Sequence, residues 1–127
     1  MSLKETKARL EDGKATIGII GLGYIGVPLA LSYTAKGIKV IGFDISPKRV
    51  AHLRDGQSPL KHIPTDLIQE AREKSLLDVT EDFSEVVNCD AIIICVPTPL
   101  NKNREPNVSY IEEACRAIGP YLRPGHL

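Results

Sequence analysis

The 127-residue sequence has no tryptophan, one methionine and three cysteines, with no C-x-x-C pair among them. An odd set of cysteines without paired spacing argues against a disulfide framework and for free thiols in a reducing compartment. Net charge is also missing, with 16 Lys+Arg against 16 Asp+Glu. Bulk electrostatics therefore give no reason to expect nucleic acid or a membrane surface as a partner. No apolar run approaches the roughly 18 residues that a membrane crossing needs. Met1–Lys14 is charged and lacks the apolar stretch of a signal peptide. Together these absences lead to the expectation of a soluble, cytoplasmic chain. His52, His62 and His126 show no metal-ligand spacing, and no metal is expected; only His62, in the loop Leu60–Pro64, is placed to reach toward a site. Internal repeats and low-complexity segments are absent too.

What is present is concentrated between Thr16 and Asp44. The apolar run Ile17-Gly18-Ile19-Ile20 leads directly into Gly21-Leu22-Gly23-Tyr24-Ile25-Gly26. A helical pattern follows, then Ile38–Phe43, and Asp44 stands 18 residues after the last glycine. A G-x-G-x-x-G alone is a weak signal, but strand, glycines, helix, strand and acid at this spacing describe a βαβ unit that binds a dinucleotide. Gly21 permits the tight turn, Gly23 lets the backbone approach a pyrophosphate, and Gly26 lets the helix lie close to the strand. The amides of Leu22 through Ile25 open a helix N-terminus, where the dipole favours phosphate. Asp44 can accept from both ribose hydroxyls and repels a 2′-phosphate, so NAD is expected rather than NADP. Lys48 and Arg49 act in the other direction if they reach the ribose; as the first turn of a helix they are simply solvated. The alternative for the whole motif is a glycine-rich turn that binds nothing.

The remaining pattern fills out one domain. Strands are expected at Thr16–Gly21, Ile38–Phe43, Leu76–Val79 and Ala91–Val96, the last apolar without alternation, as in a central parallel strand covered on both faces. Helices are expected over Tyr24–Lys36, from Pro47 to Arg54 with Ser46 as cap, after Thr65, briefly over Phe83–Val87, and over Tyr110–Tyr121 behind a Ser109/Glu112 capping box. Met1–Gly13 reads as a loosely attached helix or a tail. Strands alternating with helices predict a Rossmann-type, doubly wound α/β sheet in the order 3-2-1-4. Thr98, between Pro97 and Pro99 after the fourth strand, falls at the switch point where such sheets bind ligands. Cys95 and Cys115 are expected to be buried packing residues, and none of the three cysteines has the electropositive setting of a catalytic thiol. The chain halts at Arg123-Pro124-Gly125-His126-Leu127, where the next strand is expected to begin; the reading is an incomplete domain over residues 15–127, with the substrate and catalytic domains lying elsewhere in a longer protein.

Three ordered motifs carry a resemblance. Ile19-Ile20-Gly21-Leu22-Gly23-Tyr24-Ile25-Gly26-Val27-Pro28-Leu29-Ala30 resembles the opening of the UDP-glucose/GDP-mannose dehydrogenase family, and Gly42-Phe43-Asp44 and Ile93–Leu100 resemble two further family motifs. The segment Pro99–Pro106, with the charged N-terminal extension, is most similar to the UDP-N-acetylglucosamine 6-dehydrogenase branch. The resemblance implies NAD-dependent oxidation of a sugar C6 alcohol to a carboxylate in two steps through a cysteine-bound intermediate. The substrate would be a nucleotide sugar, the product a precursor of surface polysaccharide, and the full-length enzyme a homodimer. The family's catalytic cysteine and its partners have no match here, so no catalytic residue is expected in this piece. Gly21, Gly23, Tyr24, Ile25, Gly26, Asp44, Arg49 and Thr98 are carried over as NAD-site candidates. Two other readings stay open: a stand-alone NAD-sensing module, and another βαβ dehydrogenase, which would share the glycines and Asp44 but not Tyr24 with Pro28.

Overall fold

Residues 1–127 are all described by the computed structural model. Four parallel strands, β1 (Thr16–Ile20), β2 (Lys39–Phe43), β3 (Leu77–Thr80) and β4 (Ala91–Ile94), pair in the order β3-β2-β1-β4, as the alternating pattern predicts. The register sets Ile17 beside Val40 and Ala91, and Ile20 beside Phe43 and Ile94. Because successive side chains point to opposite faces, each strand feeds two cores. On one face Ile17, Ile19 and Val40 pack with helices α2 (Gly26–Thr34), α3 (Pro47–Arg54) and α4 (Thr65–Glu73). On the other, Ile20, Ile41 and Phe43 pack with a 3₁₀ turn (Phe83–Asn88) and helix α5 (Ser109–Ile118).

Local chemistry explains most boundaries. Ser46 caps α3 by accepting from the Arg49 N–H at 3.2 Å, with Pro47 at the first helical position. Gly37, at φ +79°, supplies the left-handed residue after α2. Two expected caps are different. Thr65 does not cap α4, whose N-cap is Pro64; its hydroxyl accepts from the Ser58 N–H instead. The Ser109/Glu112 box does not form: Asn107 accepts from the Ser109 N–H at 3.0 Å, and Glu112 turns to Arg116. The Asn107 side-chain carbonyl, two residues upstream, takes the Ser109 amide that the Glu112 carboxylate would otherwise accept from.

The N-terminal segment is a helix, and it is firmly attached. Helix α1 (Leu3–Glu11) opens on a true capping box, Ser2 with Glu5. The Arg9 guanidinium grips the Asp90 carboxylate with Nε to Oδ1 and Nη2 to Oδ2, each at 3.2 Å. The Thr6 hydroxyl, buried, donates to the Gly125 carbonyl. That turn carries Leu127 to the outer edge of β4, where the Ile92 N–H donates to Leu127 and the Leu127 N–H donates to Asp90. So β4 is not covered on both faces as its sequence suggests: Ile94 is exposed, and a single rung of pairing protects its outer edge.

Asp90 is 2 % exposed, and it also accepts from the Thr16 N–H at 2.8 Å. Asp90→Ala would leave the Thr16 amide without its acceptor and release Arg9, whose side chain is 41 % exposed, to solvent. The expected loss is about 1–3 kcal/mol, the range for stranding one buried polar group, read as a lowered urea midpoint. An unchanged midpoint would mean that this carboxylate is not what ties α1 to the sheet.

Candidate functional site

At the carboxyl ends of β1 and β4 the chain leaves the sheet in opposite directions, and a cavity of about 370 Å³ opens there. Gly21, Gly23, Tyr24, Ile25, Asp44, Arg49 and Thr98 all line it. Gly26, the eighth candidate, is buried beneath it: a Cβ there would lie 1.8 Å from the Gly21 carbonyl oxygen. Gly21 itself sits at φ +102°, and a Cβ on it would meet the Cys95 carbonyl oxygen at 2.7 Å. Both glycines are therefore required by close backbone approach, which leaves the turn thin where it faces the cavity.

The amides of that turn divide into two sets. The Leu22 N–H donates to Asp44 Oδ2 at 2.9 Å and is spent. Those of Gly23, Tyr24 and Ile25 donate to nothing in the protein. They lead into α2, whose N-cap Ile25 has no side-chain cap. Three unbonded N–H groups at a helix N-terminus make a site for an anion. The expectation that Leu22 belongs to this set is corrected: its amide orients the acid instead, and its side chain is buried under Gly42.

Asp44 is held from two sides. Oδ2 accepts from Leu22 and Oδ1 from the Ser46 N–H at 2.9 Å, so the carboxylate is fixed across the end of β2. Each oxygen keeps a lone pair for a further donor. Arg49 lies over the glycine turn, its Nη1 3.6 Å from where a Gly23 Cβ would stand. Lys48 is exposed and lines no part of this cavity. Ile25 and Tyr24 are exposed on the rim. His62 is exposed, and its loop reaches the cavity through Leu60.

A second cavity, of about 210 Å³, meets the first at Gly21, Asp44, Arg49, Val96 and Pro97. Its walls are apolar, among them Phe43 and Phe83, whose ring centroids are 5.8 Å apart, and the α5 alanines Ala114 and Ala117. Sequence reasoning missed it because its walls come from separate segments with no shared motif. A larger hollow of about 440 Å³ between α2 and α4 has neither a glycine turn nor a free acid, its Glu70 being closed onto Lys74 at 2.8 Å.

Residues 15–127 match the UDP-glucose/GDP-mannose dehydrogenase family, NAD binding domain. The chain belongs to that family. Its cofactor is NAD, and the glycine cradle, free amides and oriented acid fit that group. Among the relatives of this family member, a UDP-N-acetyl-D-glucosamine 6-dehydrogenase of Pseudomonas aeruginosa is 32% identical over 111 residues, which is 87% of this chain and 25% of that protein. A GDP-mannose 6-dehydrogenase of Pseudomonas aeruginosa is 38% identical over 109 residues, 84% of this chain and 25% of that protein. In structure, the NDP-N-acetyl-D-galactosaminuronic acid dehydrogenase of Methanosarcina mazei Go1 superposes at a TM-score of 0.82 with 31% identity, covering 100% of this chain and 29% of that one. The chain thus spans about a quarter of the length of the curated relatives it matches.

The cysteines separate by environment. Cys89 is fully buried, and burial, followed by the Asp90 and Glu85 charges, pushes its thiol up to about 12. Cys95, expected to be buried, is only half-buried on the cavity wall, and burial raises its thiol too. Cys115, expected to be buried, is exposed, because Ala114 and Ile118 form the packed stripe of α5 without it. At pH 8 an alkylating reagent is expected to modify Cys115 first and Cys89 only on unfolding, since the thiolate is the reactive form. Fast labelling of Cys89 in the folded protein would contradict its placement.

Proposed function

We propose that this chain holds NAD for a nucleotide-sugar 6-dehydrogenase, with Gly21, Gly23, Tyr24, Ile25, Gly26, Asp44, Arg49 and Thr98 forming the cofactor site. The observation that carries the reading is one cavity lined by the three unbonded amides of Gly23, Tyr24 and Ile25 together with a carboxylate whose two oxygens are already aimed. The amides hold the pyrophosphate, Arg49 adds a cation above them, and Asp44 accepts from the adenosine ribose. Thr98 faces the same cavity from the end of β4, where the reactive end of the cofactor is to be positioned. NAD, when bound, supplies a hydride acceptor. The residues here orient it, while the groups that handle the sugar belong to the rest of the longer protein.

The substrate is proposed to be a UDP-sugar of the UDP-N-acetylglucosamine kind, on the likeness of Pro99–Pro106, and the product a sugar acid for surface polysaccharide. GDP-mannose is the second reading, supported by the 38% identity to a GDP-mannose 6-dehydrogenase. A cytoplasmic homodimer is proposed for the full-length enzyme; no helix in this chain is long and apolar enough to cross a membrane. The test is NADH formation by the full-length protein over a panel of UDP- and GDP-sugars. Turnover of a UDP-N-acetylhexosamine supports the first reading and of GDP-mannose the second. NAD binding without turnover of any member would favour a sensing module instead.

A further inference from the structure

Arg49 is the cation of the glycine-turn cavity, and none of the chain's ion pairs or side-chain hydrogen bonds uses its guanidinium. It is nonetheless aimed. Half-buried, it lies over the glycine turn, while Lys48 beside it in sequence is exposed and lines no part of the cavity. A long cation with no partner to hold its head has to be held at its root.

That root is the first turn of α3. The Ser46 hydroxyl accepts from the Arg49 N–H itself at 3.2 Å, and the Ser46 carbonyl accepts from the Val50 N–H at 3.1 Å. Val50 is 2 % exposed, so the turn is fixed to the core on one side and closed by Ser46 on the other. A helical side chain leans toward the N-terminus of its helix, which carries Arg49 back over Ser46 toward the glycine turn. The Ser46 N–H meanwhile donates to Asp44 Oδ1, and Asp44 Oδ2 accepts from the Leu22 N–H. Contacts thus run in a ring from the glycine turn through Asp44, Ser46 and Arg49 and back to Gly23.

We propose that Ser46 is a positioning residue: its hydroxyl, by closing the first turn of α3, holds the Arg49 guanidinium over the phosphate-binding amides. This rests on the assignment of the cofactor phosphates to the Gly23–Ile25 amides, and Ser46 itself touches no ligand. Of the links that Ser46 makes, the amide on Asp44 belongs to the backbone and is kept by an alanine at this position. Removing the hydroxyl therefore acts on Arg49 and leaves Asp44 held. An uncapped first turn frays. A frayed turn spreads Arg49 over more side-chain conformations, which binding must then restrict.

The test is a double-mutant cycle on NAD affinity, by calorimetric titration of the full-length protein. Arg49→Ala is expected to weaken NAD about tenfold, the scale of a hydrogen bond from a charged group. Ser46→Ala is expected to weaken it about fivefold, the factor that one helix cap carries. In the Arg49→Ala background the same Ser46→Ala change should move the affinity less than about twofold. A merely structural cap would lower the affinity and the urea midpoint alike in both backgrounds. Here the midpoint is expected to fall in both, and the affinity only where Arg49 is present. Ser46→Thr or Ser46→Asn, each of which restores a capping oxygen, should return NAD affinity to within about twofold of native. An equal loss of affinity in both backgrounds, no loss in Ser46→Ala, native affinity in Arg49→Ala, or failure of both capping variants to rescue overturns the proposal. Asp44→Ala separates the two levels. Weakened NAD binding in that variant beside a negative cycle sinks Ser46 only, while native affinity in both Asp44→Ala and Arg49→Ala removes the cofactor assignment and Ser46 with it.

Discussion

Gly26→Ala is expected to lower NAD affinity at least about tenfold and to cost about 3 kcal/mol of stability, the upper part of the range for overpacking. The reason is a distance. A Cβ at position 26 would stand 1.8 Å from the Gly21 carbonyl oxygen and 2.9 Å from its carbon, both backbone atoms. No rotamer change relieves that contact, so α2 must move away from β1. The Gly21 carbonyl that would have to yield is fixed in turn, because Gly21 donates to the Phe43 carbonyl at 2.8 Å and lies against Cys95. Displacing α2 carries the Gly23–Ile25 amides away from Asp44 and dismantles the anion site. Gly37→Ala provides the contrast: a Cβ there meets nothing within 4 Å, and the cost is only that of φ +79°. Equal NAD affinity in Gly26→Ala and native protein, by calorimetry, would mean that the turn is not the phosphate cradle.

Asp44→Ala is expected to weaken NAD by about 1.5–3 kcal/mol, the value of hydrogen bonds to a charged acceptor. The same change should narrow the preference for NAD over NADP, because the carboxylate that repels a 2′-phosphate is gone while Arg49 remains. Part of the loss is structural, since the Leu22 and Ser46 amides lose their acceptor. The ratio of NAD to NADP affinity isolates the direct contribution, as disorder of the turn weakens both dinucleotides alike. A ratio unmoved by the substitution would remove Asp44 from the ribose.

The two variants rest on parts of the molecule that the amino-acid order discloses well. The βαβ unit and six of the seven candidates on one cavity wall fall within the 34 residues Thr16–Arg49, and Thr98 is placed by following the fourth apolar run. The strand order follows from apolar runs alternating with helical patterns along the chain; glycine spacing and apolar runs are local signals. What was not legible depends on distant pairs. Arg9 and Asp90 are 81 residues apart, and nothing near either shows that α1 is pinned to the sheet. The second cavity, beside Asp44, gathers Phe43, Phe83, Val96 and α5, whose shared wall exists only after the sheet has formed. The expected caps of α4 and α5 do not form for a local reason: several polar side chains compete for the same amides, and composition alone does not choose between Asn107 and Glu112 as acceptor for the Ser109 N–H. Cys115 was misplaced because the apolar stripe of α5 is narrower than its sequence suggests.

Hydrogen–deuterium exchange of the full-length protein with and without NAD tests the central claim most directly. The turn amides of Gly23, Tyr24 and Ile25 have no acceptor within the protein and should exchange quickly without cofactor. Saturating NAD is predicted to slow exchange most in the peptide that carries them, and to slow the segment after Asp44 as well. Protection confined to the hollow between α2 and α4, around Leu67 and Glu70, with the Gly21–Gly26 turn unchanged, would contradict the account.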